Sequence, residues 1–463
     1  MNSTRAFCLL LLLSLTTSSE SAEKRPNLVF IFADDLGWTD VGCFGSKYYE
    51  TPNIDRLCQS GMKMTDAYTC GPNCAPTRAC LMSGQYSPRH GIYTVSTGAR
   101  GKAKFRKLIP VDNLRKLNLK IRTMADALTD AGYVTGMFGK WHLGVDAEHH
   151  PSARGFQTAI QSNGRHFNFR TNPKHEVKKG EYLADFLTDR AEEFIEANKS
   201  KPFFLYLPHF AVHTPIHAKD SLTAKFEKKK SVRGHKNPRY AAMIASVDES
   251  VGRIVKKLDD LNLRKNTLVI FTSDNGGVGG YARAGVKGTR DITNNAPLRG
   301  GKGMLYEGGF RVPTIFNWPG VIKEGSACDT PVISVDFYPT FMELAGGMKK
   351  KGQILDGTSL VPLVKSSGKA KLERDAIYWH FPGYLQGNVQ MGSWRTTPAG
   401  AIRSGDYKLI EFFETGKVEL YNLKKDIGEK VDLSEKMKEK TTELHDKLKA
   451  WRKRVNAPMP MKK

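Results

Sequence analysis

Hydrophobic residues in this chain gather into short unbroken runs, each followed by a polar cluster and preceded or followed by a segment with helical spacing. Leu28-Val29-Phe30-Ile31-Phe32 is the first run, and it ends in Ala33-Asp34-Asp35. A short run without alternation predicts a strand buried on both faces, as in a parallel sheet. Thr51-Pro52-Asn53-Ile54-Asp55 then predicts a helix start, with Thr51 as cap and Pro52 at the first helical position. The pattern recurs. A helix over 123–131 leads to a strand over 133–138 that ends in Gly139-Lys140-Trp141-His142. A helix over 183–197 leads to a strand over 202–207, with His209 and His213 just beyond it. A long helix over 240–261 leads to a strand over 267–272, which ends in Ser273-Asp274-Asn275. This alternation predicts an α/β sheet with helices on both faces. Each polar cluster follows a strand, and open α/β sheets bind ligands at the carboxyl ends of their strands. The clusters are therefore expected to converge.

After about residue 365 the texture changes. Segments 401–413 and 417–423 read as two strands around Glu414-Thr415-Gly416, a hairpin signal. Segment 434–454 reads as a charged amphipathic helix. A main domain over 23–365 and a small α+β domain over 366–463 are expected, which suits a chain of 463 residues. At the other end, Arg5 precedes an apolar stretch over 6–15 and then Thr16-Thr17-Ser18-Ser19. That is the layout of a signal peptide, taken as residues 1–22. Its apolar part is too short to span a bilayer and no later stretch is long enough, so no membrane span is expected. The expected product is exported, to a periplasm, to the outside, or to a lysosome in a eukaryote.

Charge narrows the partners. With 71 basic and 47 acidic residues the formal charge is +24, which favours an anionic partner. No nucleic-acid module of the usual kinds is visible and export argues against DNA, so an acidic glycan fits best.

The candidate chemistry centres on Cys74-Ala75-Pro76-Thr77-Arg78, approached through Gly71-Pro72-Asn73. The approach reads as a turn into a helix. A cysteine at a helix N-terminus beside an arginine has a lowered pKa and unusual reactivity. Asp34, Asp35, Asp274 and Asn275 offer four hard oxygen donors from two strand ends, which suits calcium or magnesium rather than zinc. Taken singly, each of these features reads more readily as a turn or a buried cysteine. Jointly they do not.

Six motifs in order resemble those of the type I sulfatases. They are Asp34-Asp35, Cys74 to Gly84, Gly139-Lys140-Trp141-His142-Leu143-Gly144, His213-Thr214-Pro215, Asp274-Asn275-Gly276, and Arg299-Gly300-Gly301-Lys302. The resemblance implies an alkaline-phosphatase-like α/β sandwich, with a large, mixed, mainly parallel sheet between helices and a small C-terminal α+β domain. It implies that a formylglycine-generating enzyme oxidises Cys74 to formylglycine (3-oxoalanine). It implies that Asp34, Asp35, Asp274, Asn275 and residue 74 bind one Ca2+. The hydrated aldehyde would attack sulfur, and its second hydroxyl would let sulfate be expelled without hydrolysis of a stable ester. Arg78 and Lys140 would hold that group, and His142 would serve as base for the second step. His213, favoured over His209 by the following Thr-Pro, and Lys302 would hold sulfate oxygens and protonate the leaving alcohol. Many family members carry serine where this chain has Thr77; the cysteine, proline and arginine are all present.

The expectation is a sulfatase acting on a sulfate ester of a sulfated carbohydrate. Its rivals are a phosphodiester or phosphonate hydrolase of the same superfamily and a non-catalytic protein that binds sulfated glycans. His166 and His380 sit in aromatic stretches where they could line a sugar pocket or pack at the domain junction. Cys43, Cys58, Cys70, Cys80 and Cys328 allow disulfides, but no pairing follows from the sequence.

Overall fold

The computed structural model describes residues 25–463, so the segment read as a signal peptide lies outside the described residues. Nine strands form the main sheet: β1 (Asn27–Ala33), β2 (Met62–Met64), β3 (Val134–Gly139), β4 (Thr158–Ser162), β5 (Thr171–Asn172), β6 (Phe203–Pro208), β7 (Thr267–Ser273), β8 (Thr314–Asn317) and β9 (Ser326–Cys328). Their order is β9-β2-β8-β7-β1-β6-β3-β4-β5. The central strands β7, β1, β6, β3 and β4 run parallel, whereas β8 lies antiparallel to both β7 and β2.

The unbroken apolar run of β1 has a direct structural reason. Val29, Ile31 and Ala33 enter one hydrophobic core, and Leu28, Phe30 and Phe32 enter another on the opposite face. The first core is covered by α1 (Pro52–Gln59), α4 (Leu183–Ala197) and α5 (Pro238–Asp260). The second is covered by α2 (Cys74–Ser83), α3 (Met124–Asp130) and α6 (Phe337–Leu344). A strand that faces two cores has no polar face to alternate with.

The helix starts are capped by two routes. Thr123 caps α3 in a reciprocal capping box with Asp126, which local sequence can encode. At α1 the residue preceding Pro52 is Thr51, as expected, but its hydroxyl donates to Asp55 instead of capping the helix. The Asn53 and Ile54 N–H groups donate to the Asp248 carboxylate on α5. The cap comes from 195 residues away in sequence.

The C-terminal part holds a four-stranded antiparallel sheet of β10 (Ile377–Phe381), β11 (Ala399–Ser404), β12 (Tyr407–Phe412) and β13 (Val418–Asn422), followed by α7 (Lys438–Arg454). The expected hairpin around Glu414-Thr415-Gly416 is present between β12 and β13. The stretch 401–413, expected as one strand, is instead two. Ser404 pairs with Tyr407 across a tight turn, and Gly405 at φ 54° supplies the positive dihedral that turn needs. The final helix starts at Lys438 rather than 434: residues 434–436 form a turn, and the Ser434 carbonyl accepts from the Thr441 hydroxyl at 3.0 Å. All six described cysteines are free thiols. Cys43 faces Cys58, and Cys70 faces Cys80, each pair within hydrogen-bonding reach.

His380 lies on β10, buried, and donates from Nε2 to the Pro458 carbonyl at 2.8 Å. Its place is packing at the junction, not a ligand pocket. Burial, with the nearby Arg452 charge, pushes its pKa down to about 4, despite the Pro458 carbonyl and Glu411. An unfolded histidine takes a proton near pH 6.5. The folded chain refuses it until about 4, so unfolding takes up a proton between those values. Stability is full above pH 6.5 and falls as pH drops towards 4, by up to about 3 kcal/mol for this one group. Denaturant titrations from pH 8 to 4 should show a slope of this sign, to which the buried His166 and His209 add, and His380→Gln should make it shallower by this group's share.

Candidate active site

The strand ends bring the polar clusters together. Gly139 ends β3 at φ 138°, where a side chain would collide with the Pro208 carbonyl at the end of β6. Only glycine lets the two strand ends approach this closely, and the approach delivers Lys140 to the mouth of β1. Asp35 (φ 66°) and His142 (φ 69°) both hold left-handed backbone without being glycine. Such conformations cost about 1–3 kcal/mol each and collect where function requires them.

Cys74 is the first residue of α2, at the floor of a cavity of about 790 Å³. The turn before it is tied by Thr77, whose hydroxyl reaches the carbonyls of Gly71 (3.1 Å) and Asn73 (3.3 Å). Threonine therefore supplies the hydroxyl that a serine would. The Cys74 sulfur lies 3.4 Å from Asp34 Oδ1 and 3.4 Å from Lys302 Nζ. Burial opposes its ionisation, but Lys140 and Lys302 outweigh this and bring the thiol down to about 6.

Ligand atoms of Asp34, Asp35, Cys74 and His213 all lie within 4.8 Å of one another. Asp274 adjoins this group: its Oδ1 accepts from the Asp35 N–H at 3.2 Å and its Oδ2 from Arg78 at 2.7 Å. Asn275 donates to Asp35 Oδ1 at 2.8 Å, while its own Oδ1 is buried without a partner. Three carboxylates and an amide thus crowd together in a space where burial is nearly complete. Cations hold them. Lys140 pairs with Asp34, Lys302 with Asp35 at 2.6 Å, and His213 Nε2 stands 3.7 Å from Asp35 Oδ2. Burial pushes the Asp274 carboxyl up to about 6, with Asp34 adding repulsion and Arg78 opposing it.

Arg78 has 1% of its surface exposed and lies beneath the cavity, donating to Asp274 and to the Lys140 carbonyl. It locks two strand ends rather than reaching the cavity. His142 lines the cavity with Nδ1 buried and unpaired. Burial, with Lys140 and Arg78 close by, holds its imidazole neutral, well below the usual histidine range. His213 also lines the cavity and donates from Nδ1 to the Thr214 carbonyl at 2.7 Å. His209 is fully buried against Ser250 and does not reach the cavity. His166 is stacked near Phe210 and Tyr182 and donates to the His213 carbonyl at 2.8 Å. It supports the loop that carries His213.

The sequence reading missed the outer wall. Arg100 and Arg395 line the same cavity, with Gln161, Asn163 and Gln386. They come from loops and a short strand with no motif around them.

A sulfatase family model matches residues 26–348, about seven-tenths of the chain. The chain belongs to the type I sulfatase family of the alkaline phosphatase superfamily. A second model, the C-terminal part of N-sulphoglucosamine sulphohydrolase, matches residues 301–454 of this sulfatase. A sulfatase of Formosa agariphila is 34% identical over 96% of the chain and 92% of its own length. The N-acetylgalactosamine-6-sulfatase of Mus musculus is 31% identical over 86% of the chain and 74% of its own length. The crystal structure of Ps i-CgsB in complex with k-i-k-neocarrahexaose is similar at TM-score 0.77 and 33% identity, covering 92% of this chain and 93% of that one. The fold is the alkaline-phosphatase-like α/β sandwich, and the enzyme is a sulfuric ester hydrolase. The phosphonate monoester hydrolase of Agrobacterium radiobacter shares the fold, at TM-score 0.65 and 19% identity.

Proposed function

We propose that this sulfatase removes sulfate from a sulfated carbohydrate, using residue 74 as formylglycine together with one calcium ion. The observation that carries the reading is Cys74 at the N-terminus of α2, at the floor of a large cavity, between Lys302 and the aspartates of two strand ends. The donor set fits calcium. Asp34, Asp35 and Asp274 supply carboxylate oxygens, Asn275 Oδ1 is buried with no hydrogen-bond partner, and all are hard donors. Calcium held there with residue 74 would polarise sulfate oxygens and offset the crowded negative charge. The aldehyde of formylglycine would supply, when hydrated, both the nucleophile and the means of releasing the product.

The chain's own residues supply the rest. Lys140 and Lys302 present ammonium groups to the cavity and hold negative oxygen near residue 74. His213 stands opposite Asp35 with Nδ1 committed to Thr214, which leaves Nε2 to hold a sulfate oxygen or give its proton to the departing alcohol. His142 lines the cavity as a neutral imidazole, the form that can accept a proton. Arg78 keeps Asp274 and the Lys140 backbone in register. The formal charge of +24, and the arginine, lysine and amide side chains that line the cavity, support an acidic glycan as substrate. The segment before the described residues supports export, and residues 366–463 form a C-terminal subdomain packed on the catalytic body.

The test is parallel turnover of an aryl sulfate, sulfated oligosaccharides and an aryl phosphodiester. Sulfate release should exceed phosphodiester cleavage by at least about a hundredfold. EGTA treatment should abolish it, and Ca2+ should restore it. Preferred phosphodiester cleavage would assign the chain to the other chemistry. Activity indifferent to EGTA would remove calcium from the account.

A further inference from the structure

The cations around Cys74 are all spoken for. Lys140, Lys302, Arg78 and His213 each face Asp34, Asp35 or Asp274. Further out, the same cavity holds Arg100 and Arg395. Neither forms an ion pair among the described residues. Arg100 gives Nη2 to the Val95 carbonyl and nothing to a carboxylate. The Arg395 side chain makes no hydrogen bond among the described residues, and its Nε is buried without an acceptor.

Both are nevertheless held in place. The Arg100 loop is tied by Arg106, which donates to the carbonyls of Arg100 and Gly101 at 3.1 Å. The Arg395 guanidinium lies over the Tyr281 ring, 4.3 Å from its centre. The Tyr281 hydroxyl in turn donates to the Lys302 carbonyl at 2.9 Å, so Arg395 is built onto the loop that carries Lys302. The two guanidiniums share the wall of one cavity. Burial first, and then the Arg395 charge, lower the Arg100 pKa. Holding two like charges in a half-buried wall costs free energy that an anion placed between them would recover. Gln386 and Asn73 line the same cavity, and each has a buried side-chain oxygen with no donor among the described residues.

We propose that Arg100 and Arg395 form a second anion-binding subsite, which takes a second sulfate or a carboxylate on the same sugar chain as the scissile sulfate. The inference rests on the cavity at Cys74 being the sulfate-ester site. It makes the preferred substrate at least dianionic. The planar forks of two arginines suit either oxyanion.

Four substrates separate the cases: an aryl monosulfate, a monosulfated neutral disaccharide, a disulfated disaccharide, and a monosulfated disaccharide with a uronate. The wild-type enzyme should prefer one or both dianions, and the arm that wins names the second group. Arg395→Gln should lower kcat/KM for that dianion by about tenfold to a hundredfold more than for the monosulfated disaccharide, mainly through KM. Arg100→Gln should do the same, and Arg395→Lys should recover part of the loss. Raised salt should shrink the wild-type preference. Equal losses on all four substrates, or no preference in the wild type, would overturn the subsite. Absence of any sulfate release would instead count against the sulfatase reading. Titration calorimetry of the two dianionic disaccharides would still read the subsite, with binding lost in Arg395→Gln supporting it and no binding of either to the wild type overturning it.

Discussion

Replacing Cys74 with alanine is expected to lower sulfate release by more than about 10⁴-fold while leaving the fold and the binding of substrate in place. Every approach to the reaction passes through this residue. Its sulfur is within 3.4 Å of both Asp34 and Lys302, and the side chain has only 1% of its surface exposed. The groups that would grip a sulfate are on other elements, so the variant keeps them. Cys74→Ser should be almost as inactive. It replaces with a hydroxyl the thiol from which the aldehyde is made, and an ester formed on that hydroxyl would have no internal route to release. Sulfate release and calorimetric binding of a sulfated oligosaccharide measure the two halves of the claim. Activity above about a hundredth of wild type in Cys74→Ala would move the chemistry elsewhere. Binding that persists without turnover in the wild type would favour the glycan-binding alternative.

The second large effect concerns stability. Lys408, on β12, has no exposed surface, and its ammonium lies 3.0 Å from Glu307 and 2.7 Å from Glu429. It also stands 4.4 Å above the centre of the Phe310 ring. Burial works against the Glu307 charge, yet Lys408, Arg311 and Arg403 hold its carboxyl below the usual range. Glu429 is pushed the other way by burial, which Lys408 offsets only in part. Glu307 belongs to the stretch just after Lys302, so this one ammonium ties the C-terminal sheet to the loop beneath the cavity. Lys408→Met fills the space but leaves two buried carboxylates without their shared cation. A loss of about 3–5 kcal/mol is expected, read as a lower urea midpoint. Adding Glu429→Gln should recover much of it, since that carboxylate has no other ion-pair partner among the described residues, whereas Glu307 keeps Arg311 at 3.2 Å. A change below about 1 kcal/mol would mean that the junction is held by its apolar contacts alone.

Much of the architecture was legible because it is local. β1 faces two cores and so shows an unbroken apolar run. Thr123 and Asp126 form a capping box within three residues of each other. The clusters at Asp34, Lys140, His213 and Asp274 follow their strands directly, and a parallel sheet brings such ends together. What the sequence hides is long-range. The cap of α1 comes from Asp248, and nothing near Pro52 announces it. One exception is local: Ser404-Gly405-Asp406 is a turn signal inside 401–413, where one strand was expected and two occur. Arg78, expected to hold the group at residue 74, is set by folding beneath the cavity against Asp274. Arg100 and Arg395 are two arginines among 71 basic residues, and only the fold shows that they share a wall without a counter-charge.

The most direct measurement is the mass of the tryptic peptide spanning 64–78, made with and without a formylglycine-generating enzyme, alongside sulfate release by the same two preparations. The account predicts that residue 74 loses its sulfur and gains an aldehyde oxygen, and that activity rises in proportion to the converted fraction. Full activity in a preparation whose Cys74 remains an unmodified thiol would contradict it.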